Sequence, residues 1–166
     1  MGPYESYADK HHASWHGSFS ASIDEMHEDY IMPQENGSHF DCSLVQVSAP
    51  GASDESDRNS SDKNNFVNGS SYQSICNAQT AETIAATAHS ITVTSAVPFS
   101  MNASPYTAEE LTVATHNYEL PESDKSVLCI DYRQNGIGSN SCGPELDEKY
   151  RFDEDEWEFG FTMHVK

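Results

Sequence analysis

The chain has 166 residues, the length of one domain, and its 27 acidic against 8 basic residues give a formal net charge of −19. Such a charge repels phosphate backbones and excludes nucleic-acid binding through a basic face, and no apolar run approaches the roughly 18 residues of a membrane span. Ile, Leu, Val and Phe together are only about one residue in six, which on composition alone points to a thin core and borders on the disordered class.

Aromatic residues, at 10% of the chain, argue against plain disorder, and they sit in patterned segments. Residues 2–40 are rich in aromatics and His and poor in aliphatics, which predicts irregular structure with short strands. Asn36-Gly37 favours a tight turn. A strand is expected over 39–47, with Phe40, Cys42 and Leu44 on one face. Residues 48–74 are dominated by Ser, Asn, Asp and Gly and read as a polar surface loop or disordered insert. The sequons at Asn59 and Asn68 inside it read as chance matches. Residues 75–90 are ambiguous, because three threonines weaken a helix over 81–88. Alternation then predicts a strand over 91–101, with Ile91, Val93, Val97, Phe99 and Met101 on one face and Pro98 marking an edge or a bulge.

Thr107 and Glu110 form a capping box that opens a helix over 107–118, with Leu111, Ala114 and Tyr118 at helical spacing. Residues 126–132 read as a strand and 133–146 as a Gly- and Ser-rich loop. In the last segment Trp157, Phe159, Phe161, Met163 and Val165 alternate with polar or small residues, which predicts a strand with Trp157 turned to the core. The class expected is mainly β and antiparallel, a β-sandwich with one short helix.

The candidate chemistry is sparse. The acidic runs at 147–148 and 153–156 read as solvated turns, since catalytic carboxylates need distinct, buried environments. His11, His12, His16, His27 and His39 crowd the first 40 residues, but no ligand spacing on a clear helix makes a metal site of them. Cys42, Cys76, Cys129 and Cys142 form no C-x-x-C pair and read as free thiols of a reducing compartment. Met1-Gly2-Pro3-Tyr4 lacks the basic start and apolar stretch of a secretory leader, so the chain reads as cytoplasmic. The loop 136–143 lacks the Lys of a phosphate-binding loop, and its expected use is to shape a pocket or an interface.

Four motifs, taken in order, carry a resemblance. Gly2-Pro3-Tyr4-Glu5-Ser6-Tyr7-Ala8-Asp9-Lys10 resembles the Gly-Pro-x-Glu-x-Tyr-x-Asp-Arg motif of bacterial lac-type β-galactosidases of glycoside hydrolase family 2, with Lys10 for Arg. Tyr30-Ile31-Met32-Pro33-Gln34-Glu35-Asn36-Gly37 is similar to that family's Tyr-Ile/Val-x-Pro-x-Glu-Asn-Gly. Residues 106–111 with His116 and Leu120 resemble its helix and trailing His. Gly136-Ile137-Gly138-Ser139-Asn140-Ser141-Cys142-Gly143-Pro144, followed by Tyr150-Arg151-Phe152, resembles its end. The likeness covers 2–47 and about 91–166, and leaves out 48–90.

The resemblance implies the C-terminal, small-chain domain of such an enzyme, half of a β-supersandwich of the galactose-mutarotase-like kind. The catalytic glutamates, with magnesium and sodium sites, would lie in a separate barrel, so the chain alone is expected to be inactive. Its contribution would be to complete the substrate pocket through Asn140, Ser141 and Cys142 and to pack on the barrel or a large subunit. Some family members place a Trp where Cys142 stands, and Cys offers no stacking face. Lys10 likewise cannot make the bidentate carboxylate contact of an Arg. The alternative is a stand-alone carbohydrate-binding or subunit-assembly module of the same fold, with Trp15 and Trp157 as stacking candidates. An incomplete half of a sandwich is also expected to be less stable than its length implies.

Overall fold

The computed structural model describes residues 1–48, 71–75, 90–121, 126–138 and 144–166. Six strands form one antiparallel sheet: β1 (Ser18–Ser22), β2 (His39–Ser48), β3 (Ser71–Ile75), β4 (Ser90–Ser104), β5 (Val127–Asp131) and β6 (Phe161–Val165). The order is β1-β3-β2-β4-β5, and β6 lies beside β4. The one α-helix among the described residues, α1 (Ala108–Val113), follows β4. The molecule is thus mainly β with one short helix, in agreement with a β-sandwich class.

β4 is the spine. β2 runs along one side of it, and β6 and β5 follow each other along the other. The β2–β4 register sets Val45 against Val93 and Cys42 against Phe99. Opposed residues in an antiparallel pair project from the same face, and all four are buried to 1% exposure or less. Met101 and Ala103 extend this row, and Ile23 and Met26, just after β1, pack onto it. Burying a side chain the size of Phe99 contributes about 1.5–3 kcal/mol relative to leaving it in water.

The β2 and β4 alternation differs from simple expectation at one place. Two steps along β2, from Leu44 to Cys42, match five along β4, from Thr94 to Phe99. The extra residues bulge out around Pro98, which cannot donate to a ladder. Val97 falls in the bulge and is exposed, so it leaves the core face. On β2 the break lies beside Asp41, which adopts a left-handed φ of 59° and accepts a hydrogen bond from His16 Nε2 at 2.7 Å. The buried apolar residues of β2 are therefore Cys42 and Val45, and Leu44 leaves the face on which Phe40 and Cys42 set it.

Other elements shift as well. The polar stretch over 48–74 ends in β3, inserted between β1 and β2. The sequons and the ambiguous residues 76–89 lie outside the described residues. The Thr107 capping box forms, with the Thr107 hydroxyl accepting from Glu110 N and the Glu110 carboxylate from Thr107 N. The α-helix stops at Val113, however, because Ala114 turns extended with ψ 135°. Leu111 and Ala114 are buried, but Tyr118 is exposed and stacks on His116. The last strand starts only at Phe161. Trp157 does not enter the core: it is 58% exposed and stacked on Tyr132 at 5.7 Å.

Candidate functional site

The first segment of the chain is clipped along the start of β2. Ser6 N donates to Ser38 O at 2.7 Å, and the buried Ser6 hydroxyl accepts from Phe40 N at 3.0 Å. Tyr7 and Lys10 then exchange two backbone hydrogen bonds, closing a tight turn with Ala8 and Asp9 at its tip. That turn sends two carboxylates in two directions.

Glu5 faces the Asn36-Gly37 turn. Its carboxylate accepts from Lys10 Nζ at 2.6 Å, Gly37 N at 2.8 Å and the Tyr7 hydroxyl at 3.1 Å. Burial pushes the Glu5 pKa up, but the Lys10 hydrogen bond and charge and the Gly37 N–H outweigh it, and the net shift is below the ordinary carboxylate value. Lys10 moves up in return, chiefly through its hydrogen bond to Glu5. Tyr7 is held protonated, by burial first and by the Glu5 charge second. Gly37 has φ 73°, and a Cβ there would sit 2.0 Å from the Met26 carbonyl oxygen, so only glycine fits this turn. The Asn36 side chain ties the turn down, accepting from Glu28 N and donating to the Glu28 and Gln34 carbonyls.

Asp9 faces the other way, toward the Gly-rich loop, 128 residues along the chain. Its two oxygens accept from Ile137 N at 2.9 Å and Gly138 N at 3.0 Å. Gly136 passes so close that a Cβ would lie 2.5 Å from Asp9 Cγ and 2.7 Å from Leu146 Cδ1. The return stem is held separately. Gly136 N donates to Tyr150 O at 3.0 Å, and Arg151 donates through Nε and Nη2 to Leu146 O at 3.0 and 2.8 Å. Both stems are fixed, with residues 139–143 between them. Asn140, Ser141 and Cys142, the expected substrate contacts, lie outside the described residues.

Two hollows adjoin the stems. One, of about 320 Å³, lies between Tyr7, Asn36, Asn102, Cys129, Asp131 and Gln134. Its polar groups largely satisfy each other: Ser38 donates to Gln134 Oε1, Gln134 Nε2 donates to Asp131, and Asn102 Nδ2 donates to the Asn36 carbonyl. Burial first, and then the Asp131 and Glu35 charges, hold the Cys129 thiol protonated. The other, of about 590 Å³, is bordered by the stems themselves and by Arg151, Phe152 and Asp153.

The histidines disperse. His16 pairs with Asp41, His39 Nδ1 lies 3.0 Å from Met1 O, His11 packs against His12 and Phe40, and His27 is half-buried against Tyr106. Among the described residues no three metal-ligating side chains come together. The acidic residues 153–156 are exposed, with Glu154 paired to Arg133. Cys129 is a free thiol, and the buried Cys42 Sγ accepts from the Met1 amino group. Glu5 takes three donors and Asp9 two, all from the protein itself, so both carboxylates position the chain around them.

Sequence reasoning missed the roles of Asn102 and Gln134 and the link from Asp9 to the loop. Only the presence of Asp9 and Gly136 in separate motifs signalled them.

A family model described as β-galactosidase small chain matches residues 1–163. A β-galactosidase of Actinobacillus pleuropneumoniae is 40% identical over 98% of this chain and 12% of its own length. One of Staphylococcus xylosus is 33% identical over 98% of this chain and 13% of its own length. A β-galactosidase small subunit of Latilactobacillus sakei is 40% identical over 34% of this chain and 18% of its own length. The chain spans about one eighth of the length of the first two relatives.

Proposed function

The chain belongs to the β-galactosidase small-chain family, and from that premise we propose that it is the non-catalytic, C-terminal supersandwich portion of a glycoside hydrolase family 2 β-galactosidase. In this role the loop 136–143 closes the galactoside pocket of the parent enzyme, with Asn140 and Ser141 offering hydrogen bonds and Cys142 filling space. The observation that carries this reading is the Asp9 clamp on Ile137 and Gly138. It spends a charged group from one family motif on fixing the stem of another, which is what a loop that must meet a substrate in one geometry requires.

The acid and nucleophile that act on β-galactosides such as lactose belong, in this reading, to the barrel portion, as do the magnesium and sodium ions. No three side chains among the described residues fit a metal, and no step of the proposed role passes through one.

The test is a chimera. In the Actinobacillus pleuropneumoniae β-galactosidase, the segment matching this chain is replaced by residues 1–166, and hydrolysis of o-nitrophenyl β-D-galactoside is compared with that of the same enzyme lacking the segment. The chimera is expected to hydrolyse the substrate and the shortened enzyme to be at least about tenfold slower, a loss of about 1.4 kcal/mol of transition-state stabilisation. Equal rates would refute the pocket role.

A second reading, a stand-alone carbohydrate-binding module, is favoured by the exposure of Trp15 (55%) and Trp157 (58%). Tryptophan fluorescence titrated with galactose tests it, and an unchanged signal at saturating sugar would remove it.

A further inference from the structure

β6 runs along residues 91–95 of β4, whose opposite side carries β2. Among the described residues nothing pairs with the outer edge of β6. Met163 stands opposite Val93 in the register, so both side chains leave the same face of the sheet. Val93 is fully buried, whereas Phe161, Met163 and Val165 are 47%, 51% and 72% exposed. The core face therefore continues onto β6 and runs out there uncovered.

The backbone points the same way. Ser90 and Lys166 exchange both N–H···O bonds, at 3.0 and 2.9 Å. Hydrogen-bonded pairs alternate with non-hydrogen-bonded pairs in an antiparallel ladder. The pairs Thr92–His164 and Thr94–Thr162 thus hold the ladder, and Phe161, Met163 and Val165 turn their N–H and C=O groups outward. The three residues with uncovered apolar side chains are the three with outward-facing backbone. Edge strands are ordinarily blunted by charge, proline or a covering element, and β6 has no Asp, Glu, Lys, Arg or Pro within it.

Two observations identify the occupant. The matched relatives are about eight times longer than this chain, so most of such an enzyme lies outside it. Charge argues against a second copy: the exposed acidic residues 153–156 and Glu158 adjoin β6 in a chain of net charge −19, so two copies repel and a basic partner segment is favoured.

We propose that a β-strand from the remainder of the β-galactosidase adds to the outer edge of β6, covering Phe161, Met163 and Val165 and setting basic side chains against the acidic residues 153–156 and Glu158. The inference rests on the proposed function and names the surface through which the portion joins its enzyme, by strand addition.

The test mixes the full 166-residue chain with the Actinobacillus pleuropneumoniae β-galactosidase shortened by its matching segment and measures Kd. Met163→Pro removes one outward N–H and one apolar side chain, and leaves the bonds through Thr162 and His164 in place. It is expected to weaken binding at least about tenfold. Amide exchange of the wild-type chain gives a second readout that needs no variant: the amides of Phe161, Met163 and Val165 are expected to slow at least about tenfold in the complex. Binding that is unchanged by a folded Met163→Pro, or exchange at these amides that is unaffected, would overturn the edge and leave the proposed function standing. No binding by the wild-type chain would overturn both. Dimerisation of the chain through these same amides would overturn the assigned occupant.

Discussion

Two ends of the chain meet the same problem and solve it differently. The motif segment 2–10 is short in aliphatic residues, yet its polar groups find partners inside this chain: Glu5 takes three donors, Asp9 takes two, and Ser6 is fully buried. The last segment, 157–165, has the strongest apolar alternation in the sequence, yet of its alternating residues only Phe159 packs on the core, and Trp157, Phe161, Met163 and Val165 stay exposed. Hydrophobic patterning alone would rank them in the reverse order. The difference separates the contacts this chain completes by itself from a face it leaves uncovered among the described residues.

The comparison breaks most readily at the first end. Gly37→Val puts a branched side chain at φ 73° and against the Met26 carbonyl. It is expected to cost more than about 3 kcal/mol, since left-handed strain and a backbone clash add, and a urea melt would show it. Glu5→Ala strips the partner from Lys10, Gly37 N–H and the Tyr7 hydroxyl. About 2 kcal/mol is expected by the same measurement, discounted because Lys10 is half exposed.

Protonation gives a third test. Burial holds the His27 imidazole below its ordinary value of 6.5, with Asp29 and Glu28 opposing. The unfolded chain therefore takes up this proton first. The stability conferred by neutral His27 is full above pH 6.5 and declines as pH falls below it. Thermal melts are expected to fall from pH 7 to pH 5, and His27→Gln is expected to flatten part of that slope. Glu5, lowered in the folded state, adds a loss only at lower pH, as its own folded pKa is passed.

The opposite end sharpens the comparison by its indifference. Replacing Phe161, Met163 and Val165 together by Thr is expected to change the stability of the isolated chain by only about 0.5–1 kcal/mol, because exposed side chains release little on truncation. A loss of about 3 kcal/mol or more would show that this face is already covered within the chain.

Much of the fold was legible. The strands around Val45, Val93 and Phe99, the capping box at Thr107 and the antiparallel class follow from alternation and capping chemistry. The bulge at Asp41 and Pro98 was only hinted at by the proline, because an insertion in a ladder shifts the period without changing composition. β3 is hidden by its polar sequence, Ser-Tyr-Gln-Ser-Ile, which carries no apolar alternation. Trp157 illustrates the general limit: alternation shows that a residue shares a face with Phe159 and Phe161, but not whether anything covers that face. At the site, the Glu5–Gly37 and Asp9–Gly138 contacts join residues 32 and 129 positions apart. Local periodicity carries no such information, and only the family resemblance set the motifs side by side.

The central claim is that the motif knot exists to aim the loop 136–143 at a galactoside. The kinetics of the chimeric enzyme carrying Asp9→Asn test it most directly, because the change keeps the size of the side chain and removes the charge that holds Ile137 and Gly138. The expected result is a KM for o-nitrophenyl β-D-galactoside raised about five- to tenfold with kcat changed less, the signature of lost substrate positioning. A KM identical to that of the unaltered chimera, in an enzyme that remains folded, would contradict the account.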